Sequence, residues 1–432
     1  MIWVPLALVA FISSSLACSI WCYRSLSTAR LLDSRRFSKK DAAKYGAFVR
    51  YDADLWQTWR FVLGGFFLVP FRLLLMFTTI ILTCSLTSLI CAVCPRVEGR
   101  PGERKKVSGS RNTIVNFVLN QIIYVGTVVL SLSLGLMRVR HFRLLPSGMR
   151  VLVQSPGEVR GGDSFERLRE SSENMTADGK WHLRPVVVSN HVSLLDVVVF
   201  LRFLKPSFVA KAAVGRVPFV GAVVDALDCV LVERVEAADR EAARRKVIQR
   251  VQDESGTFRP SQRPLVVFPE GTSSNGLDLI PFKTGAFEAL QPVTPVVLHF
   301  PFSHFNPAYE ILPTSVYLPL LMAEPFHAVD VYWLPDVFPE DQAVAAGSFE
   351  DEADRQVARA RERKMSGAAA EREQAVSDFA EKTRTIMRRF LASVHPAKTK
   401  GADISAPWEG RWADKFECYQ KAVGGPVPSQ RD

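Results

Sequence analysis

Two short apolar runs, each ending in a polar turn, constrain the fold of this chain more than any other feature. Residues 186–188 (Val-Val-Val) lead into a turn with His191 and Asp196, and residues 265–268 (Leu-Val-Val-Phe) lead into Pro-Glu-Gly-Thr. Such runs are typical of short buried strands. If both lie in one parallel sheet, their carboxyl ends reach the same edge, where open α/β sheets bind ligands. The residues predicted to meet there are His191, Asp196, Glu270 and Thr272.

The spacing of His191 and Asp196 limits how their side chains meet. On an uninterrupted helix, residues five apart point ~140° away from each other. His191 must therefore lie in the turn and Asp196 in the first turn of a helix that Asn190 or Ser193 would cap. A carboxylate bonded to one ring nitrogen leaves the other as a general base. The alternative is a capping residue beside a surface imidazole.

Four motifs together resemble those of the glycerolipid acyltransferases, the family that makes phosphatidate and remodels phospholipids. They occur in the family's order, and the similarity covers roughly residues 183–340. Shorter segments, at 274–276, 281–287 and 305–309, resemble the branch that acylates lysophosphatidylcholine and lysophosphatidylethanolamine. The four motifs are residues 190–196, 215–221, 268–272 and 293–297.

This resemblance implies an α/β fold, in which N-terminal membrane-embedded helices precede an acyltransferase domain with a central, mostly parallel sheet. It implies that His191, oriented by Asp196, takes the proton of a lysophospholipid hydroxyl, which then attacks the thioester of acyl-CoA. Acyl-CoA is a co-substrate, and no cofactor or metal is expected. Lys211 and Arg216 are the cations predicted to bind phosphate. The substrate-binding residues are Lys211, Gly215, Arg216, Pro218, Glu270, Gly271 and Thr272.

Three alternatives to this function remain open. The same machinery would serve a glycerol-3-phosphate or lysophosphatidate acyltransferase, and the same His and Asp would serve a CoA-independent transacylase. A protein of another class, anchored by a membrane hairpin but catalytically silent, is the third. Intact His191, Asp196, Arg216 and Glu270 argue against this last alternative.

The N-terminal third is apolar and is interrupted by basic stretches at 24–40, 96–111 and 138–150. Positive charge favours the cytosolic side of a membrane, so we expect an endoplasmic reticulum membrane protein whose catalytic domain faces the cytosol. A bent or re-entrant hairpin is predicted within 61–94. The predicted domains are an anchor helix (1–23), a cytosolic linker (24–58), a membrane-embedded hairpin with a third apolar segment (59–137), the acyltransferase domain (138–345) and a charged helical extension with a tail (346–432).

The formal net charge of +10 fits contact with an anionic membrane leaflet. Nucleic acid is excluded as a partner, because no recognisable nucleic-acid-binding motif accompanies the charge. The expected partners are therefore acyl-CoA, a lysophospholipid and the bilayer. Asn174 lies in a glycosylation sequon that stays unused if the domain is cytosolic.

Overall fold

The computed structural model describes the N-terminal helices, the sheet and two C-terminal helices. The described residues are 3–38, 41, 44–93, 96–97, 106–107, 113–144, 150–153, 184–216, 220–232, 245–251, 263–309, 311–339, 356–394 and 412–423.

Among these residues, one sheet of eight strands forms the centre of the molecule, in the order β4-β3-β10-β9-β5-β8-β6-β7. A separate ribbon pairs β1 (Arg96–Val97) with β2 (Lys106–Val107). The strands of the large sheet are β3 (Leu136–Leu144), β4 (Arg150–Val153), β5 (Val186–Ser189), β6 (Ser207–Lys211), β7 (Val230–Val232), β8 (Leu265–Val267), β9 (Val293–His299) and β10 (His327–Trp333).

The sheet is mostly parallel, as predicted. Strand β5 runs parallel to both β8 and β9, while β6 runs parallel to β7 and β8. Val186 pairs with Leu265 and Val188 with Val267, so the two apolar runs end at the same height. Antiparallel pairing occurs where β10 meets β9 and where β3 meets β4. All four residues of β5 are buried, which explains why its sequence is continuously apolar.

Helices of the described catalytic region connect strands of this sheet. Helix α5 (Leu194–Phe203) follows β5, α6 (Val220–Ala226) precedes β7, and α7 (Thr314–Ala323) precedes β10. Ser193 caps α5: its hydroxyl accepts from the Leu195 N–H at 3.2 Å, and Asp196 accepts from the Ser193 N–H at 2.9 Å. This reciprocal capping box starts the helix at the position that the His–Asp spacing requires.

Before the sheet, the longer helices of the described chain are α1 (Trp3–Ala29), α2 (Thr58–Phe67), α3 (Val69–Val93) and α4 (Thr113–Ser133). Helix α1 extends beyond the anchor predicted at 1–23. Of the described helices, α3 and residues Ile114–Ser133 of α4 are long and apolar enough to cross a membrane. Length and composition alone support this statement.

The hairpin lies between α3 and α4 rather than within 61–94, where the sequence predicts it. Leu68 separates α2 from α3, and Pro70 falls in the first turn of α3, where proline is tolerated. Helices α3 and α4 run antiparallel: Arg72, near the start of α3, lies beside Gly135, which follows α4, and Thr83 packs on Gly126.

This hairpin contacts the catalytic region near both of its ends. At its base, the buried Arg72 guanidinium donates to the carbonyls of Met322 and Glu324 and so satisfies the end of α7. At its tip, strand β2 contacts helix α6. Between the two ends, Arg263 donates to Asn120 Oδ1 of α4 at 2.6 Å.

Residues 44–56 also differ from the cytosolic linker predicted for 24–58. Their apolar side chains belong to the main core, with Phe48 and Val49 at 0% exposure and Trp56 at 5%. Their backbone carbonyls accept hydrogen bonds from Asn275, in the loop after the Glu-Gly-Thr turn. This segment, which we call the strap (residues 44–56), is therefore part of the catalytic region.

Two helices lie at the C-terminal end of the described chain. Helix α8 (Gln356–Val394) packs against the sheet through Phe379, Met387 and Leu391, all of them buried. Helix α9 (Trp412–Val423) contributes the fully buried Cys418 to the main core. The predicted helical extension is thus present in both helices, and α9 lies within the stretch predicted to be a tail.

Candidate active site

His191 and Asp196 form a hydrogen-bonded pair at the carboxyl edge of the sheet. The His191 Nδ1 atom lies 2.8 Å from Asp196 Oδ2. Asp196 is fully buried, whereas the His191 side chain is 23% exposed, so the imidazole is the member of the pair that a substrate can reach. An acceptor at Nδ1 holds the proton there and leaves Nε2 as the basic atom.

Backbone groups fix Asp196 independently of the histidine. Its Oδ2 atom accepts from the N–H groups of Val192 at 2.6 Å and Ser193 at 2.9 Å. One carboxylate oxygen therefore caps helix α5 and orients the imidazole at the same time. The ring of Phe268, at the end of β8, stacks on His191 with centroids 4.3 Å apart and 20° between the planes. The imidazole is held at its edge and on one face.

Asn190 joins the catalytic turn to the neighbouring strand. Its side chain accepts from the Leu298 N–H at 2.7 Å and donates to the Leu298 carbonyl at 3.0 Å. These two bonds continue the pairing of β5 with β9 after β5 itself has ended. Asn190 thus positions His191 through the sheet, while Ser193 supplies the helix cap.

Glu270 links the two polar turns. Its carboxylate accepts from the His191 N–H at 2.9 Å and from the Ile280 N–H at 3.3 Å. Burial raises the pKa of Glu270 to about 8, although both N–H groups act in the opposite direction. At 2% exposure this side chain holds the two turns together from inside the protein.

Gly271 and Thr272 form the outer part of the Glu-Gly-Thr turn. Gly271 adopts φ +68°, in the left-handed region that favours glycine. A Cβ at this position would lie 2.5 Å from Lys283 Nζ, so a side chain here would displace the end of that flexible lysine. The Thr272 hydroxyl accepts from Lys415 Nζ, of helix α9, at 2.8 Å.

Comparison with known proteins relates this edge to a family. A family profile described as Acyltransferase matches residues 169–301, which include the His191–Asp196 pair and the Glu-Gly-Thr turn. The chain contains an acyltransferase domain. This finding supports the resemblance that the four motifs predict, and the mostly parallel sheet confirms the predicted α/β fold class.

Relatives of the acyltransferase domain carry names from the predicted branch. The lysophospholipid acyltransferase LPEAT1 of Arabidopsis thaliana is 36% identical over 36% of this chain and 39% of its own length. The lysophospholipid acyltransferase LPCAT4 of Homo sapiens is 32% identical over 36% of this chain and 29% of its own length. The match thus spans well under half of these relatives.

A solved structure resembles the chain at lower similarity. It is the crystal structure of the 1-acyl-sn-glycerophosphate acyltransferase PlsC from Thermotoga maritima. The TM-score is 0.38 at 16% identity, over 75% of this chain and 95% of that one.

The second motif of the acyltransferase domain lies at the same edge of the sheet. Gly215 and Arg216 end a short 3-10 helix (Ala212–Arg216) that directly follows β6, a parallel neighbour of β8. Gly215 is buried and Arg216 exposed. Lys211 ends strand β6, and its side chain lies outside the described part, as does Pro218. Topology therefore brings Gly215 and Arg216 to the edge that holds His191 and Glu270.

The strap contains polar residues at the acyltransferase domain that the sequence analysis missed. Arg50 is fully buried between the rings of Trp56 and Phe305, and its guanidinium donates to the Asn306 carbonyl at 2.7 Å. Asp52 accepts from the Asn306 N–H at 2.8 Å. Local sequence patterns do not indicate a role for Arg50 and Asp52, because their partner Asn306 lies 256 and 254 residues away along the chain.

The described residues at this edge bring a general base together with groups that could bind a substrate. Among them, no group of three or more His, Cys, Asp or Glu side chains is arranged to hold a metal ion. The arrangement instead offers one oriented base, buried carboxylates and lysines beside a glycine turn.

Proposed function

We propose that the protein is an acyl-CoA-dependent lysophospholipid acyltransferase. The observation that carries the proposal is the 2.8 Å pair of His191 Nδ1 and Asp196 Oδ2 beside the Glu-Gly-Thr turn. The names of the relatives support the lysophospholipid as acceptor. We also propose that acyl-CoA is the acyl donor and that the individual residues have the roles described below.

The proposed chemistry is a direct transfer. His191 Nε2 takes the proton of the lysophospholipid hydroxyl as its oxygen forms a bond to the thioester carbonyl carbon. The tetrahedral intermediate collapses, the carbon–sulfur bond breaks, and the CoA thiolate leaves with the proton returned by the imidazolium. The buried carboxylate of Asp196 stabilises the imidazolium during the transfer. No group of the protein is acylated in this scheme, and no cofactor is required.

Substrate binding is assigned to the outer residues of the same edge. Arg216 is exposed there, and an arginine binds phosphate oxygens through a planar fork of donors. Lys211 and Pro218 would complete this second motif. Gly271 and Thr272 contact the acceptor through a turn without a side chain at its apex, while Glu270 keeps that turn in register with His191.

The membrane contact is proposed from the N-terminal helices. Helices α1 to α4 expose large apolar side chains, including Leu16, Phe67, Ile81, Leu82 and Phe117, that water would not favour. Because the α3–α4 hairpin contacts the catalytic region at both its base and its tip, we place both of its ends on the same side of the membrane. The three basic stretches then share the cytosolic face of an endoplasmic reticulum membrane, in keeping with the positive-inside bias.

An acyl-transfer assay tests the function. The full-length protein in microsomes is given labelled acyl-CoA with a panel of lysophospholipids, glycerol 3-phosphate and lysophosphatidate. We expect diacyl phospholipid from a lysophospholipid and release of free CoA in equal amount. Product from glycerol 3-phosphate or lysophosphatidate alone would replace the proposed substrate, and transfer from a phospholipid without acyl-CoA would replace the proposed donor.

A second assay tests the topology. Asn174 lies outside the described residues, but its sequon reports the side of the membrane on which the domain lies. We expect no glycan on Asn174 and protease access to a C-terminal tag in sealed microsomes. A glycosylated Asn174 or a protected tag would place the catalytic region in the lumen.

A further inference from the structure

Two lysines from distant parts of the chain flank the Glu-Gly-Thr turn. Lys283 Nζ lies directly against Gly271, in the space that a side chain at that position would fill. Lys415 Nζ donates to the Thr272 hydroxyl at 2.8 Å. Lys283 is exposed and Lys415 is half-buried, so two positive charges border the outer face of a single peptide unit.

Lys415 reaches the turn because helix α9 is anchored on the strap and on the residues before it. Cys418, one turn further along α9, is fully buried in the main core. On the outside of the helix, Glu417 accepts from Lys44 at 2.6 Å and Lys421 donates to Asp41 at 2.5 Å. The buried face places the helix, and these exposed ion pairs contribute little to its stability.

The position of Lys415 is also tied to the catalytic turn. Its ammonium lies over the ring of Tyr309, 5.9 Å from the centroid. The Tyr309 N–H donates to the Val192 carbonyl at 2.7 Å, next to His191, and the Tyr309 carbonyl accepts from the Ser273 hydroxyl. Lys415 therefore contacts residues bonded to both polar turns at once.

We infer that Lys415, with Lys283 beside it, binds a phosphate group of the substrate at the Glu-Gly-Thr turn. The inference rests on the proposed function and adds to it a residue from outside the acyltransferase domain. Lysine binds phosphate as a point charge, and at a partly buried position that attraction is less screened than at the surface.

Both substrates of the proposed reaction carry phosphate, so the experiment measures each separately. For Lys415→Ala we expect the KM of one substrate to rise roughly 10- to 100-fold, as for a lost charge-assisted hydrogen bond, with kcat within about threefold. A higher KM for lysophospholipid alone assigns the head-group phosphate. A higher KM for acyl-CoA alone assigns a phosphate of CoA. Lys415→Arg should restore most of the affinity, because the charge returns.

Lys421→Ala is the matched control, because it removes the same charge from the same helix at a residue paired only with Asp41 among the contacts described above. We expect its KM values to equal those of the unchanged protein. Equal KM increases in Lys421→Ala and Lys415→Ala would show that helix docking matters rather than the Lys415 charge, and would overturn the inference. Unchanged KM values in Lys415→Ala would overturn it as well.

A binding measurement keeps this test separate from the proposed function. Inorganic phosphate at millimolar concentration should raise the thermal unfolding midpoint of the detergent-solubilised protein, and Lys415→Ala should weaken that rise. An active protein whose phosphate response and KM are both unaffected by Lys415→Ala refutes the phosphate site alone. A protein without acyltransferase activity refutes the proposed function, and its phosphate response still decides the site.

Discussion

At the edge of the sheet polar side chains are buried, whereas on the N-terminal helices large apolar side chains are exposed. At the edge, Asp196 and Glu270 are 0% and 2% exposed, whereas on α3 Ile81 and Leu82 are 65% and 61% exposed. Burying a carboxyl group costs free energy unless hydrogen bonds compensate it, and exposing large aliphatic side chains to water is also unfavourable. Each region therefore departs from the ordinary burial rule and needs a compensation of its own.

The compensation differs between the two regions. Backbone N–H groups bond to the Glu270 carboxyl and, together with the imidazole, to Asp196 Oδ2, so within the described structure only Asp196 Oδ1 of these two side chains is left without a partner. The exposed face of α3 and α4 has no such partner in the described chain. Replacing a single atom at the edge of the sheet should therefore change activity or stability. The exposed face of α3 and α4 should respond only when the polarity of a larger surface area is changed.

The largest effect is expected for the base. His191→Ala removes the group that takes the substrate proton and should lower kcat by about 10²–10⁴-fold. The rate is measured with labelled acyl-CoA in membranes, with protein amount and unfolding midpoint as controls. His304→Ala, which removes a histidine bonded to Ser303 outside the pair, should keep normal activity. Near-normal turnover in folded His191→Ala would sink the mechanism.

Asp196→Asn should follow, with a loss of about 10²-fold or more and a lower unfolding midpoint. In one orientation its amide NH2 would face the N–H donors of Val192 and Ser193. In the other it would occupy the place of Asp196 Oδ1, a buried atom without a hydrogen-bond partner in the described structure. Asp54→Asn, an exposed change, is the control. An active and fully stable Asp196→Asn protein would contradict the dual role.

The apolar face should respond more mildly. Replacing Ile81 and Leu82 with arginine should release part of the protein from membranes, because a charged side chain in the apolar part of a bilayer costs up to about 2.5–3.5 kcal/mol. Fractionation with and without an alkaline wash measures the release. The exposed changes Glu371→Gln and Glu373→Gln on α8 raise the net charge by the same amount elsewhere and should leave binding unaltered. Equal membrane retention in both pairs would show that this face does not enter the bilayer.

The last expected effect is a change in the pH dependence of stability. Burial raises the pKa of Glu270 from 4.5 to about 8, so between these values the folded protein holds a proton that the unfolded chain has lost. The stability from this proton is fully present below about pH 4.5 and is lost as pH rises through about 8. Glutamine cannot titrate, so the unfolding midpoint of the unchanged protein minus that of Glu270→Gln should fall across this range. A constant difference would mean that Glu270 is charged in the folded state.

Features that depend on neighbours in sequence were predictable. The strands β5 and β8, a helix cap at Asn190 or Ser193 and the meeting of His191 with Asp196 follow from local patterns and from the requirement that parallel strands end at one edge. Glu270 was correctly placed beside His191 for the same reason. The apolar character of residues 61–94 and 113–137 follows directly from their composition, without knowledge of the fold.

Features that depend on distant partners required the tertiary structure. The pairing of α3 with α4, rather than a bend within 61–94, comes from the packing of Thr83 on Gly126 and from Arg72 at the end of α7. The strap looked like a linker because Arg50 and Asp52 meet Asn306 only after folding. Lys415 lies 143 residues from Thr272, and no local periodicity can signal a contact over that separation. The sequence by itself determined the catalytic edge, whereas only three-dimensional packing decided what surrounds it.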